Sequence, residues 1–474
     1  MRDDPLRYDS APWTAGTALA IVIPCFLLTV VLGLLSDGVY HDDDLTHFLM
    51  ARWARWCPEY LLHMWGRPGL TIPLASVAWI GSAAIGWHLA RLLSAIVTAV
   101  TALLAARLAT RLGVRSTWLV VLACYVQPLN TVLGATTLTE NFTAFYLVAA
   151  VGLLEAGWAA PGSLVFSMAL LTRHEAVVFL PIWCVAVLLR QAPAKRKILA
   201  LFAAVSGPVA YNLSFRLILE DWPVRVMFQP QGSSQYLPTN LLAYVPHALE
   251  AVPPALAGLA VVGAIVLLRQ GRALVPAITG VYLVTHVAVK AIGVYASGGY
   301  ARFMVAVAPF VAILAVAGLQ EMVRQVRRRL PVRWGWIVLG AVWVIGLAGL
   351  EIERRAGRIE LYSCGLVWVL RGAAAAVVVF TLLSAAMIGR GGWLRRTAVA
   401  LLAIACAIQW AVLVRPMHLR AEQRQIQDVV VWLREQGLDE RPLFTTHPWA
   451  PYFLDLVELP RAHKGPRLLA SMPV

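Results

Sequence analysis

The residues most able to do chemistry lie early in the chain, in "YHDDDLTHF", Tyr40 to Phe48. Three consecutive carboxylates, Asp42, Asp43 and Asp44, follow an apolar run, Ala18 to Leu35, and His41 and His47 flank them. A carboxylate near an apolar surface has a raised pKa and a stronger pull on a nearby proton. That suits a general base acting on an acceptor hydroxyl. Neighbouring carboxylates can also divide the work, one taking the proton and another orienting a nucleophile or a metal. The plainer alternative is a solvated helix terminus. A divalent metal held by His41, His47 and the aspartates is a further reading, although the H-E-x-x-H pattern of zinc proteases is absent. Nothing else in the sequence points to a cofactor.

Cations suited to a phosphate stand elsewhere. Arg67 sits in "MWGRPGL", Lys290 at the end of an apolar run, and Arg302 in "GGYARFMVAVAP", two residues after Tyr300. Lys or Arg at bilayer depth costs about 2.5–3.5 kcal/mol on insertion scales, so such a residue faces a polar cavity or snorkels to headgroups. Arg suits phosphate because its planar fork donates two parallel bonds. Two further groups are ambiguous. Arg173 and Glu175 in "LLTRHEAVVFLP" read as site residues or as a structural ion pair. Glu140 in "TTLTENF" reads as a site acid or as an acid on a helix dipole, with Thr137 or Thr139 as cap.

These groups need elements to hold them, and composition says which. Of the 474 residues, 60% are hydrophobic and only 14% charged, against roughly 45–50% and about 25% in soluble domains. The chain therefore reads as a polytopic, all-α membrane protein. Its net charge of +15 does not signal nucleic acid, because the basic residues sit in short clusters between apolar runs and form no recognition module. The clusters "RLATRLGVR", "RQAPAKRK", "RQGR", "RQVRRRLPVR" and "RGGWLRR" mark cytoplasmic loops by the positive-inside rule. The six cysteines form no C-x-x-C pair, so they offer neither a zinc nor a redox site.

Counting crossings between the marks predicts about thirteen spanning helices, with the N-terminus inside and the C-terminus outside. The first is Thr14–Leu35. Residues 36–69 form the first outer loop, and 70–86 form an interfacial helix broken by Pro73. Crossings are then expected at Trp87–Ala106, Trp118–Thr131, Glu140–Gly157, Pro161–Thr172, Ala176–Leu189, Ile198–Leu219 and Ala248–Leu268. Two more are expected between Arg272 and Arg324, two between Arg333 and Arg390, and one at Thr397–Val414. Residues 1–414 thus make a membrane domain. Residues 415–474 read as a small outer α/β element, with a helix carrying Ile426, Val429, Val430, Trp432 and Leu433 on one face and a short strand in "PLFTTH". This topology puts the aspartates and the cations on one outer face.

Taken in order, these motifs resemble the GT-C superfamily of multi-spanning glycosyltransferases. Its members include protein O-mannosyltransferases, lipid A aminoarabinose transferases and GPI-type mannosyltransferases. "HDDD" at 41–44 resembles the H-P-D-E or D-E motif of that family's first outer loop, and "RPGLTIPLASVAWIG" its juxtamembrane helix. "WHLARLLSAIV" is similar to its second span, "LTEN" to its T-E motif, "LTRHEA" to L-x-R-P-E-G, and "GGYARFMVAVAP" to Y-x-R-Y-x-x-x-x-x-P. The resemblance implies a sugar donor on a polyprenyl or dolichyl phosphate, a lipid, glycan or protein acceptor, and an inverting reaction. It puts Asp43 in the place of the catalytic aspartate and Asp44 in that of its acidic neighbour. Asp42 stands where one subgroup has proline, which leaves Asp42 open as the base. The rival reading is a transporter or flippase of lipid-linked substrates, for which intramembrane charges would suit but internal symmetry is missing. High Ala, Arg, Val and Trp usage points to a GC-rich bacterial source and hence the plasma membrane, with the ER membrane as the eukaryotic alternative.

Overall fold

The computed structural model describes residues 15–63, 65–219, 222–223, 238, 241–293, 300–327, 407, 410–411, 413–438 and 447–456. Their regular elements are helices, with no strand among the described residues. Five helices are long and apolar enough to cross a membrane: Gly16–Leu34, Ala83–Arg111, Ala194–Ile218, Leu274–Ile292 and Ala301–Met322. The chain is an integral membrane protein. The two helices expected between Arg333 and Arg390, and most of the last one, lie outside the described residues.

Helix α1 (Ala15–Leu34) turns Leu19, Ile23, Leu27 and Val31 outward while Ala18, Val22, Thr29 and Leu32 are buried. Spacing by four puts the exposed set on one stripe, which suits a first span with one face to lipid. A loop leads to α2 (Asp42–Trp53), α3 (Pro68–Ala78) and α4 (Ala83–Arg111). The single interfacial helix expected over 70–86 is thus divided. Gly81 takes φ 64°, a left-handed setting that glycine reaches without penalty. Ser82 then caps α4 by accepting the Ile85 N–H at 3.4 Å, so Gly86 and Trp87 belong to the following span. Arg52, in the last turn of α2, donates to the carbonyls of Ala78 at 2.8 Å and Gly81 at 3.1 Å. These are helix-end and turn carbonyls that would otherwise lack partners. The Trp79 indole answers with a bond to the Ala51 carbonyl at 2.7 Å.

Proline divides two other expected spans. The stretch Trp118–Thr131 is α5 (Trp118–Val126) and α6 (Pro128–Leu133), and the stretch Ala248–Leu268 is α11 (Val245–Ala251) and α12 (Pro254–Arg269). Pro128, Pro253 and Pro254 lack the N–H that would continue the ladder. Between these lie α7 (Thr139–Glu155), α8 (Ala159–Thr172), a 3-10 turn over His174–Phe179, α9 (Leu180–Leu188) and α10 (Ala194–Leu219). After them come α13 (Leu274–Ile292), a 3-10 turn over Ala301–Val307, and α14 (Ala308–Arg327).

The bundle packs α1 on α4, α4 on α7, α7 on α8 and α8 on α10. Helices α12 and α14 meet most closely, through Gly263 and Gly318. A Cβ at Gly263 would strike the Leu314 carbonyl, and one at Gly318 the Leu259 carbonyl. Small residues let membrane helices approach backbone to backbone. Gly263→Leu is therefore expected to force these helices apart. A loss of about 1–3 kcal/mol, the usual range for overpacking, should appear as a lower Tm in detergent.

Three of the basic marks meet at the end of the bundle opposite α2. Arg272 donates to the Arg111 carbonyl at 2.6 Å, the Arg115 N–H donates to Gln320 Oε1 at 3.1 Å, and Arg190 pairs with Glu155. At the α2 end a second hydrophobic core joins α2, α3 and the start of α4 to the C-terminal tail, which contributes α15 (Ala421–Glu435) and α16 (Trp449–Leu456). The inward face of α15 differs from the expected one. Gln423 and Val430 are buried with Ile426 packed between, whereas Val429 and Trp432 are exposed. The strand expected at 442–447 lies outside the described residues except for His447, which is in no strand.

Candidate active site

His41 and the three aspartates set the start of α2. His41 is the N-cap, in extended geometry, and its Nδ1 accepts the Asp43 N–H at 3.3 Å. The same nitrogen lies 3.2 Å from Asp43 Oδ2. It serves the amide when unprotonated and the carboxylate when protonated. Three acids in the first turn complement the helix dipole, which eases their crowding. Each then takes a different partner. Asp42 Oδ1 accepts from Gln423 Nε2 and from the Trp449 indole, both at 3.2 Å. Asp43 Oδ2 pairs with Arg302 Nη2 at 2.5 Å. Asp44, fully buried, accepts the Thr137 N–H at 2.6 Å and lies within hydrogen-bonding reach of its hydroxyl.

Behind the Asp43–Arg302 pair lies a buried ion network. Arg302 Nε is 3.4 Å from Glu140 Oε1, which also receives Arg173 Nη1 at 2.6 Å. Arg173 is the extended residue at the end of α8, and its Nη2 reaches Glu175 at 2.8 Å. The Thr139 hydroxyl accepts from Arg173 at 3.2 Å and from Arg67 at 3.4 Å. Thr137 and Thr139 do not cap α7, whose N-cap is Leu138; they hold Asp44 and the arginines instead. Arg67 adopts φ 62°, a strained setting for a residue with a Cβ. Such strain collects where function demands a fixed geometry. Tyr300 frames the site, edge-on to His41 at 5.2 Å and under the Arg302 guanidinium at 4.9 Å.

Electrostatics separates the carboxylates and the histidines. Burial alone would raise Asp43. Arg302 first, then His41, outweigh it and hold the carboxyl well below its ordinary range. Asp44 is raised, because burial outweighs Arg91 and the bonds from Thr137. His47, one turn after Asp43, is pushed down to about 4, chiefly by burial and then by Arg67 and Arg302, against the pull of Asp43 and Glu140. It is therefore neutral at pH 7. Among the described residues, Arg302 Nη1 and Arg67 Nε are buried donors with no hydrogen-bond partner. An unmade buried bond costs about 1–3 kcal/mol, so these two spare guanidinium donors favour an anionic ligand.

Not every candidate converges. Lys290, at the end of α13, has its charge felt by His247 of α11. No three His, Cys, Asp or Glu side chains gather to hold a metal among the described residues. Other residues join the site without having been singled out for it in the sequence. Buried Arg91 of α4 donates to the carbonyls of Ser36 at 2.7 Å, Gly38 at 2.5 Å and Gly33 at 3.2 Å, and so shapes the turn leading into α2. Its signal was a lone arginine in an apolar helix. His286 of α13 stacks on Tyr244 at 5.4 Å and lies 5.1 Å from Phe303.

The fold that pairs these first-loop acids with a cation from a much later span is similar to that of two solved structures. Both are of ArnT from Cupriavidus metallidurans, one in the apo state and one bound to undecaprenyl phosphate. They match with TM-scores of 0.57 and 0.56, over 92% and 93% of this chain and 84% and 85% of theirs, at 14% identity. An oligosaccharyltransferase from Archaeoglobus fulgidus, tethered with an acceptor peptide, matches at 12% identity and a TM-score of 0.47, over 93% of this chain and 59% of its own. No family model matches the sequence, and no curated protein matches it.

Proposed function

We propose that this chain is a glycosyltransferase that moves a sugar from a polyprenyl-phosphate donor to an acceptor hydroxyl, at the outer face of the membrane and with inversion. The Asp43–Arg302 contact at 2.5 Å carries this reading, because it joins a base to a phosphate-binding cation. The acceptor oxygen attacks the anomeric carbon and gives its proton to Asp43. The bond from that carbon to the phosphate oxygen breaks, and the phosphate leaves with the electron pair. Arg302 and Arg67, with spare donors, stabilise its charge. As the donor phosphate takes a share of Arg302, the hold on Asp43 relaxes and burial raises its proton affinity. Neutral His47, Tyr300, Glu140, Arg173 and Glu175 line and brace the site. The likeness to ArnT bound to undecaprenyl phosphate supports the donor class.

The test uses purified full-length protein in detergent and a panel of undecaprenyl phosphates carrying different pentoses and hexoses. Release of undecaprenyl phosphate in the presence of an acceptor glycan or lipid is the expected result. Passage of intact donor across a reconstituted bilayer without cleavage would instead establish the transporter.

A further inference from the structure

The three aspartates at 42–44 are consecutive on a helix, so each points about 100° from the next. Their partners come from three distant parts of the chain. Asp42 meets Gln423 and Trp449, Asp43 meets Arg302, and Asp44 meets Thr137. Two of these attachments flank the third. Asp44 is held to the start of α7, and Asp42 is held to the tail. With both sides tied, α2 cannot turn about its axis without breaking one of them.

The tail does not touch Asp42 by chance. It crosses the loop before α2 in register with it. The Gly38 N–H donates to the Met417 carbonyl at 2.8 Å, the Met417 N–H donates to Ser36 Oγ at 2.9 Å, and the Leu419 N–H donates to Asp37 at 3.3 Å. The crossing leaves no room at Gly38, where a Cβ would strike the His418 backbone. Beyond it, Gln423 is buried on the inward face of α15. A buried amide on an apolar face needs partners: its Oε1 accepts the Arg420 N–H at 2.9 Å, and its Nε2 donates to Asp42. Trp449 is fully buried among Trp87, Tyr452 and Phe453, with its N–H on the same carboxylate oxygen.

We propose that Gln423 and Trp449 are positioning residues, which act through Asp42 to fix the rotation of α2 that turns Asp43 toward Arg302. This rests on the reading of Asp43 as the base. It makes Asp42 an anchor and assigns the C-terminal tail a part in turnover. Misplacing a reacting group by about 1 Å can cost about 100-fold in rate, and a released helix end allows a shift of that order.

The decisive variant is Trp449→Phe, which keeps an aromatic side chain, smaller than the indole, and removes the N–H, with Gln423→Leu as a second route should the first fail to fold. With the best donor from the panel, each is expected to lower kcat about tenfold while KM for donor stays within about twofold. Asp42→Ala should match the larger loss, and Trp449→Phe in that background should cost nothing more. Asp42→Asn, which still accepts both bonds, should recover most of the rate. Hydrogen exchange at residues 42–48 should quicken in Trp449→Phe, a readout that does not need turnover. A wild-type kcat and wild-type exchange in both tail variants, or losses that multiply in the Asp42→Ala background, would overturn the proposal. Failure of wild-type protein to cleave any donor would overturn the glycosyltransferase reading instead, and exchange would still decide the clamp.

Discussion

Asp43→Asn should lower turnover by about 10³-fold, the middle of the range for loss of a general base, in protein that remains folded. An amide oxygen can still accept from Arg302 Nη2, so the 2.5 Å contact and the start of α2 should persist. What the amide lacks is the capacity to take a proton. The check pairs kcat for release of undecaprenyl phosphate with gel filtration and Tm of the same preparation; near-wild-type turnover would remove Asp43 from the mechanism. The direction of the Asp43 shift adds a pH expectation. Its folded pKa lies below the ordinary carboxylate value because Arg302 and His41 outweigh burial. The charged form is therefore present throughout the neutral range. The stability it contributes is complete above the unfolded carboxylate pKa and is lost only as pH falls through the lower folded value. Unliganded protein should thus lose stability from this pair only in strong acid.

The second large effect concerns folding. Arg173 is 2% exposed and is the shared partner of Glu140 and Glu175. Its guanidinium also lies over the Phe303 ring at 4.2 Å. Arg173→Met keeps most of the volume and removes the charge, leaving two buried carboxylates without their main counter-ion. Breaking a buried pair from one side costs about 3–5 kcal/mol, so little folded protein should survive extraction, and the survivor should melt well below wild type. The triple variant with Glu140→Gln and Glu175→Gln should recover much of the lost Tm, because neutral partners no longer carry the desolvation cost. A single variant as stable as wild type would mean that the network is solvated.

How much of this was legible in the sequence depended on the range of the interaction. Helices α7, α8, α10 and α13 follow their apolar runs closely, because each is bounded by charge, Gly or Pro within a few residues. The division of 70–86 was missed, since Gly81 and Ser82 sit between two apolar stretches that read as one. Internal prolines hid the breaks at Pro128 and Pro253 for the same reason. In the site, Asp43, Arg302, Glu140 and Arg173 stood out because charge in an apolar chain is expensive. That Asp43 and Arg302 touch across 259 residues is not encoded locally. Gln423 and Trp449 gave no warning, and Thr137 was read only as a helix cap, as a neutral hydrogen-bonding residue is unremarkable until its partner is known. The apolar pattern even misled on α15, where the inward line runs through Gln423, Ile426 and Val430 rather than through Trp432.

The run of three aspartates is redundant as text, and the fold removes the redundancy. The same letter is written three times, and its three copies have three unlike fates. No difference in side chain tells them apart; only distance from the first residue of the helix does. His41, which caps α2 and begins the count, is thus the origin of the coordinate along which the three copies acquire their meanings.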